Sequence, residues 1–523
     1  MRQMMSESGN NKNDSSRSEE STAKALEEQE SGAAAAAAKD GGDARLMVSR
    51  QLFAIPLRFA KTLFVIPLLT PETMFIVKLI STWLGYLPRL TFGVHKVLRA
   101  YYPEAETQQD EEKCRQYLVL AWRFSLGAGL IGAASGAFMS LRFFQGSYLP
   151  LLVLWGLGAV LNYHARQVFQ ARGVFVGVVR MDNYGILISF ALSFAGVVAF
   201  GLEGYLYGLF SSVAVLVWLG RKTYFPPSVH LSLVFVKQSL ISGSHMWLNG
   251  FMANLAKTFE ITLFALGSDI SRNFAGQYAV AMTLAGLMEN VMTSMNSVFV
   301  RRTVVLLSAK DDSGDGAPDF RPLYGFIVFS FLVYVLVAGV TMMGSHLLIY
   351  LLPKYSTVPS LLPPLLLGTL LGLFRVYPCV VFRLHRQLWY NTLGNALHLI
   401  GVVVTFQVLA VYFASDPGKL AFAQPVGAGL GSFFVWLAFI RKKVKHKEGL
   451  MTTLVLALLG MVWMMACIWS THLIVTNMVI IIVGMIVLAT LTRVWFPEAV
   501  ALLAETFVNP ILRKLQKKRS TNE

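Results

Sequence analysis

Between about residue 50 and residue 492 the chain divides into apolar stretches of about 20 residues each, separated by short charged or Gly/Pro-rich breaks. A helix of that length crosses a hydrocarbon core of about 30 Å, and in lipid it satisfies its own backbone hydrogen bonds. Fourteen such segments are expected, at 50–69, 73–93, 115–139, 147–166, 180–200, 202–220, 238–266, 274–300, 322–352, 360–382, 388–413, 420–440, 450–470 and 472–492. The fifth and sixth are divided only around Gly201, the thirteenth and fourteenth only by a Ser-Thr-His turn. The fold class that follows is an all-α, multi-pass membrane protein.

Composition agrees. With 55% hydrophobic and 14% charged residues and a mean hydropathy of +0.56, there is too little charge to cover a water-soluble globule of 523 residues. The net charge of +16 does not point to nucleic acid, because the basic residues gather in short loops between apolar runs. Loops on one side hold 22 Lys and Arg, and loops on the other hold 4, namely Arg142, Arg272, Lys354 and Lys419. Lys and Arg are retained in cytoplasmic loops, so this asymmetry places both termini in the cytoplasm and supports an even number of spans. The far-side loops are too short for a folded catalytic or receptor domain, so the function is expected within the membrane.

Residues 1–45, rich in Ser, Glu, Asn, Gly and Ala, read as a disordered cytoplasmic tail. Residues 495–520 place apolar side chains at helical spacing and end in Lys and Arg, which fits a helix lying on the cytoplasmic face against anionic lipid. Cys114, Cys379 and Cys467 have no disulfide or zinc spacing and read as packing residues, so no metal and no cofactor are indicated. His245 and His398 are lone intramembrane histidines, expected as satisfied core residues. Gly127, Gly129, Gly132 and Gly136 approximate small-xxx-small spacing and predict close packing of the third segment.

The two halves repeat. NYHARQVFQARG (162–173) precedes an apolar pair ending in VWLGRK (217–222), and RLHRQLWYN (383–391) precedes a pair ending in VWLAFIRKK (435–443). Trp218 and Trp436 lie 218 residues apart, His164 and His385 lie 221 apart, and Gly204 and Gly208 correspond to Gly427, Gly429 and Gly431. The expected organisation is a six-helix bundle over 46–236, a second over 237–447, an extra transmembrane pair over 448–492 and the interfacial basic helix over 493–523. Parallel repeats of this kind place a substrate site between the halves near the midplane.

Six basic residues fall inside the segments: Arg58, Lys61, Lys78, Arg123, Lys257 and Arg375. A charge at the bilayer centre costs about 2.5–3.5 kcal/mol even on the lenient insertion scale, so each needs a partner or a wet cavity. At 1.5 Å per residue Arg58 and Lys61 sit about 12 and 16 Å inside the first segment, and their i, i+3 spacing puts them on one face. That face needs an anion. Lys78 is either a cavity cation or snorkels to the far interface. Lys257 either serves the substrate or neutralises Glu260 three residues on. Arg123 and Arg375 lie nearer the cytoplasmic ends and read as supporting residues. Glu260 and Glu289 are the carboxylates well inside the segments; either binds a coupling proton or cation, or holds an arginine.

Three stretches carry a family resemblance: RFAKTLFVIPLLTPETMFIVKLISTWLGYLPRLTFG (58–93), FAGQYAVAMTLAGLMENVMTSMNSVFVRR (274–302) and the Gly-rich helix pairs. Over residues 50–492 the chain resembles the Wzx-type flippases of lipid-linked oligosaccharides, in the superfamily that also holds the peptidoglycan-lipid flippases and the MATE exporters. The resemblance implies a central cavity lined by helices one, two, seven and eight, where cations hold a polyprenyl-linked pyrophosphate, and assigns Arg58, Lys61, Lys78 and Lys257 to it. It further implies a place in the inner (plasma) membrane and a role in O-antigen, exopolysaccharide or capsule synthesis, with lipids and polysaccharide polymerase or assembly proteins as partners. The alternatives are a MATE-like cation-coupled exporter of small molecules, which needs an acidic cavity, and a multi-spanning glycan polymerase or ligase, which needs chemistry outside the membrane.

Overall fold

The computed structural model describes residues 57, 60, 61 and 64–495, apart from 145, 147, 268–269, 289–320, 385–386, 414–415, 442–446 and 471–473. The N-terminal tail, the C-terminal basic helix, Arg58, Glu289 and His385 lie outside the described residues, as does most of the first apolar segment. What is described is all-α. Seven runs are long and apolar enough to cross a membrane, one of them being the hairpin Phe175–Leu219.

Helix α1 (Pro71–Tyr86) starts where Thr70 accepts a hydrogen bond from Thr73 N at 3.3 Å, with Pro71 in its first turn and Glu72 at the positive end of the helix dipole. The second apolar segment was expected to run on to residue 93, but the α-helix stops at Tyr86. Pro88 opens a 3₁₀ turn, Leu87–Thr91, and Phe92 and Gly93 take left-handed φ of 47° and 81°. Helix α2 (Val94–Thr107) is amphipathic, burying Val94, Val97, Leu98, Tyr102 and Ala105 while Arg99, Glu104 and Glu106 face out.

Helices α3 (Glu111–Phe144) and α4 (Leu149–Ala171) pack backbone to backbone. A Cβ on Gly132 would meet Gly156 O, and one on Gly136 would meet Leu152 O, which is the expected role of these glycines. Gly127 faces open space and does not share it.

Helix α5 (Phe175–Leu219) folds back on itself at Phe200 (φ −137°, ψ 15°) and Gly201 (φ 61°, ψ −134°). Its arms touch at Gly196 with Gly204 and at Gly208 with Leu192. The fifth and sixth segments are therefore separate helices, as their sequence division at Gly201 predicts.

The second half comprises α6 (Leu233–Gly267), α7 (272–288), α8 (Arg321–Leu351), α9 (Val358–Phe374), α10 (Val376–Leu384), α11 (Leu388–Tyr412) and α12 (Ala423–Arg441). The additional pair is α13 (Lys447–Ser470) and α14 (Ile474–Trp495). The close glycine approach recurs, with Gly401 on Gly427 and Gly394 on Gly431 joining α11 to α12. The tenth segment was expected as one helix; it breaks at Arg375, because Pro378 lacks an N–H and belongs in the first turn of a new helix.

Two helices are more polar than these runs. Helix α6 carries His245, Asn249, Asn254, Lys257 and Glu260, and α1 carries Lys78. These two helices pack on each other where the halves meet. The docked pair α13–α14 is fixed to α8 by a buried polar link, in which Asn477 lies 3.0 Å from His346 Nε2 and accepts from the Ser470 hydroxyl at 3.1 Å.

Candidate functional site

The seam between the halves is held at three levels. At its far end the Pro71 carbonyl fills the space beside Gly276, Tyr355 donates its hydroxyl to Leu69 O at 2.8 Å, and Lys354 donates to Pro67 O at 2.8 Å. Midway, Tyr86 of α1 and Thr258 of α6 share a hydrogen bond of 2.7 Å between their hydroxyls. At the basic end Trp247 Nε1 donates to Arg89 O at 2.5 Å, Lys96 donates to Met246 O, and Gly93 lies against Gly243. The Phe92 and Trp247 rings pack at a tilt beside this contact with centroids 5.4 Å apart. Only glycine allows the approach at this end: Gly93 needs its left-handed φ, and a Cβ there would overlap the Gly243 carbonyl.

The sequence-derived residues divide between the halves. Lys61 is half-buried and turns toward the α5 hairpin, donating to Ser189 Oγ at 2.7 Å with its ammonium 5.6 Å from the Tyr205 ring centre. Both of these partners are neutral. Phe64 extends the same face onto Phe190 and Phe194, with centroid distances of 6.4 and 6.3 Å. Lys78 is half-buried on α1, and Lys257 is half-buried on α6 beside the Thr258 of the mid-seam bond. Arg123 is exposed on α3.

Glu260 is completely buried, and its carboxylate accepts from Gln424 Nε2 at 2.9 Å, with the Tyr278 phenol beside it. Gln424 also reaches Ala256 O at 3.0 Å. His398, buried on α11, joins Gln424, Arg375 and Lys257 in the same interior cluster. Arg375 sits at the α9–α10 break, its guanidinium packed where a Cβ on Gly431 would be. His398 is thus a member of a charged cluster and not the lone core residue expected, while His245, also expected in the core, is exposed on α6.

Sequence reasoning missed two buried groups in the first half. His95, Ser125 and His164 form one cluster from α2, α3 and α4, and Arg166 pairs with the buried Asp182 at 2.6 Å. Nothing in the spacing signals the first, since its members are 30 to 69 residues apart.

No family model and no curated protein matches this sequence. Solved structures do match. An inward-facing multidrug resistance MATE family transporter of the MOP superfamily superposes with a TM-score of 0.60 at 13% identity, over 77% of this chain and 99% of that one. The lipid II flippase MurJ, in an inward closed conformation, gives 0.56 at 9% identity over 86% and 98%. The eukaryotic MATE transporter AtDTX14 gives 0.54 at 16% identity over 80% and 99%.

The chain shares the all-α fold of these structures. The contacts described above hold the seam at separate levels, midway and at either end.

Proposed function

We propose that this protein is a flippase that carries a polyprenyl-pyrophosphate-linked oligosaccharide from the cytoplasmic to the outer leaflet of the inner (plasma) membrane, with both termini cytoplasmic. It works by alternating access and makes or breaks no bond. The glycan is destined for a surface polysaccharide, so a polymerase and assembly proteins are the expected partners downstream.

The observation that carries this reading is Lys61, an ammonium within the apolar region whose contacts among the described residues, Ser189 and the Tyr205 ring, are both neutral. A cation so placed suits an anionic cargo. Arg58, Lys78 and Lys257 complete the assigned set, Arg by its planar fork and Lys as a point charge on the pyrophosphate. Glu260 and Glu289 are assigned to the coupling ion. The fold shared with a lipid II flippase supports a lipid-linked cargo.

The test is export of the glycan by a deletion strain that carries Arg58→Ala/Lys61→Ala. Loss of export, with the protein still in the membrane, is expected; unimpaired export by the double variant overturns the assigned site.

A second reading, a cation-coupled exporter of small molecules, is favoured by the buried Glu260 and by the fold shared with multidrug MATE transporters. It predicts drug sensitivity on deletion with glycan export intact. Away from the segment ends six basic residues face two acidic ones, a balance that favours the anionic cargo.

A further inference from the structure

Directly behind the basic end of the seam, His95, Ser125 and His164 close a triangle. His95 Nε2 lies 3.2 Å from His164 Nδ1, and Ser125 Oγ lies 3.1 Å from the first and 2.9 Å from the second. All three side chains are at most 1% exposed. The Ser125 hydroxyl also sits 2.6 Å from Ala121 O, the acceptor for its own hydrogen. The neutral pair is joined when one facing nitrogen carries its N–H and the other its lone pair.

His95 stands between the two residues that fasten α2 to α6. Gly93 abuts Gly243, and Lys96 donates to Met246 O. Any displacement of the His95 ring moves both contacts, because they belong to the same first turn of α2.

We propose that the His95–His164 pair is a proton-binding site whose occupancy controls the basic end of the seam, closed when the pair is neutral and open when it takes up one proton. The incoming proton lands on the ring nitrogen that had been the acceptor, so two N–H groups then face each other across one Ser125 oxygen. Neutral acceptors meet the new N–H, Ser125 Oγ by its lone pairs and the Thr223 backbone beside His164, but the charged side chains around the pair are mostly basic. On α2 itself the next charges are Lys96 and Arg99; Arg89 and Arg99 face Tyr163 on α4; α3 contributes Ser125 and the exposed Arg123. Asp182 of α5 is already bound to Arg166 of α4. Trp122 and Tyr224 cover the remaining faces of His164, and α6 contributes His245 and Trp247 at the seam. Moving α2 toward water relieves the imidazolium, and the Gly93 and Lys96 contacts part with it.

The sign follows from linkage. His95 lies on α2, between the second and third apolar segments; burial, and secondarily His164, holds its ring well below the ordinary imidazole range in the closed state. The open, hydrated state binds the proton more tightly, so acid favours opening. With one proton linked, the open-to-closed ratio rises by up to about tenfold per pH unit below the ordinary imidazole value of about 6.5. This inference rests on the transporter fold and not on the cargo, so its failure would leave the proposed substrate untouched.

The test uses the full chain without cargo, with Cys114, Cys379 and Cys467 replaced by Ala and spin labels at Arg115→Cys and Trp389→Cys, both exposed near the basic end. Between pH 8 and pH 5 the long-distance population is expected to grow, and His95→Gln/His164→Gln is expected to make the distances independent of pH. Amide hydrogen exchange of residues 94–107 in the unsubstituted protein, corrected for intrinsic rates, should rise with acid in parallel and needs no folded variant. The proposal is overturned if the unsubstituted protein shows neither change, if the double variant keeps the full response, or if His245→Gln alone removes it.

Discussion

The carbonyl oxygen of Pro71 occupies the space that any side chain on Gly276 would need, so the first turn of α1 and the N-terminal part of α7 touch through backbone alone. This contact, with the Tyr355 hydroxyl on Leu69 O, closes the far end of the seam. A methyl group at Gly276 has no flexible neighbour to displace. Gly276→Ala is expected to cost about 1–3 kcal/mol in the closed arrangement and to shift the population toward a far end that is open. Spin labels at Arg142→Cys and Arg272→Cys would report a longer distance; an unchanged distribution would contradict the role given to this contact.

Gly201 holds the turn of the α5 hairpin at φ 61° and ψ −134°, a conformation open in practice to glycine alone. Gly201→Ala is expected to cost about 1–3 kcal/mol and to lower the thermal unfolding midpoint. Gly173→Ala serves as a comparison, since Gly173 has φ 66° with nothing near the missing Cβ. It lies in a loop between helices, so its effect on the Gly196–Gly204 contact should be nil.

Gln424 is the donor to the Glu260 carboxylate. Gln424→Leu leaves a buried acid without that hydrogen bond, and hydrogen bonds to charged groups are worth about 1.5–3 kcal/mol. The unfolding midpoint should fall accordingly, whereas Glu260→Gln, which keeps a polar partner for Gln424, should fall less. Equal losses in the two variants would show that the carboxylate charge itself is needed.

At the start of α3, Asp110 accepts from Lys113 N at 3.0 Å and pairs with the Lys113 ammonium at 2.8 Å. Its side-chain bond to Lys113, with the backbone bonds behind it, holds the Asp110 carboxyl below the ordinary Asp value of 3.8. A depressed carboxylate contributes above its unfolded value and loses that contribution as pH falls through the folded one. Amide protection in the first turn of α3 should therefore drop on acidification below about pH 4, and Asp110→Asn should make it insensitive to pH in that range.

The sequence by itself determined the class of the molecule. Apolar runs of bilayer length leave helices as the means of satisfying the backbone, and the division at Gly201 and the glycines at 132, 136, 427 and 431 were legible because glycine's missing Cβ acts locally. Helix ends were read less well, at Tyr86 and Arg375, because a proline shifts a boundary without changing the hydropathy that marks the segment. Only tertiary structure decided which polar side chains meet. Lys61 with Ser189 is separated by 128 residues and Glu260 with Gln424 by 164, and neither pair has a periodicity that the chain could display. The His95–Ser125–His164 triangle is likewise assembled by α2, α3 and α4 packing on one another, and a distance of 3.2 Å between two imidazoles is a property of that packing alone.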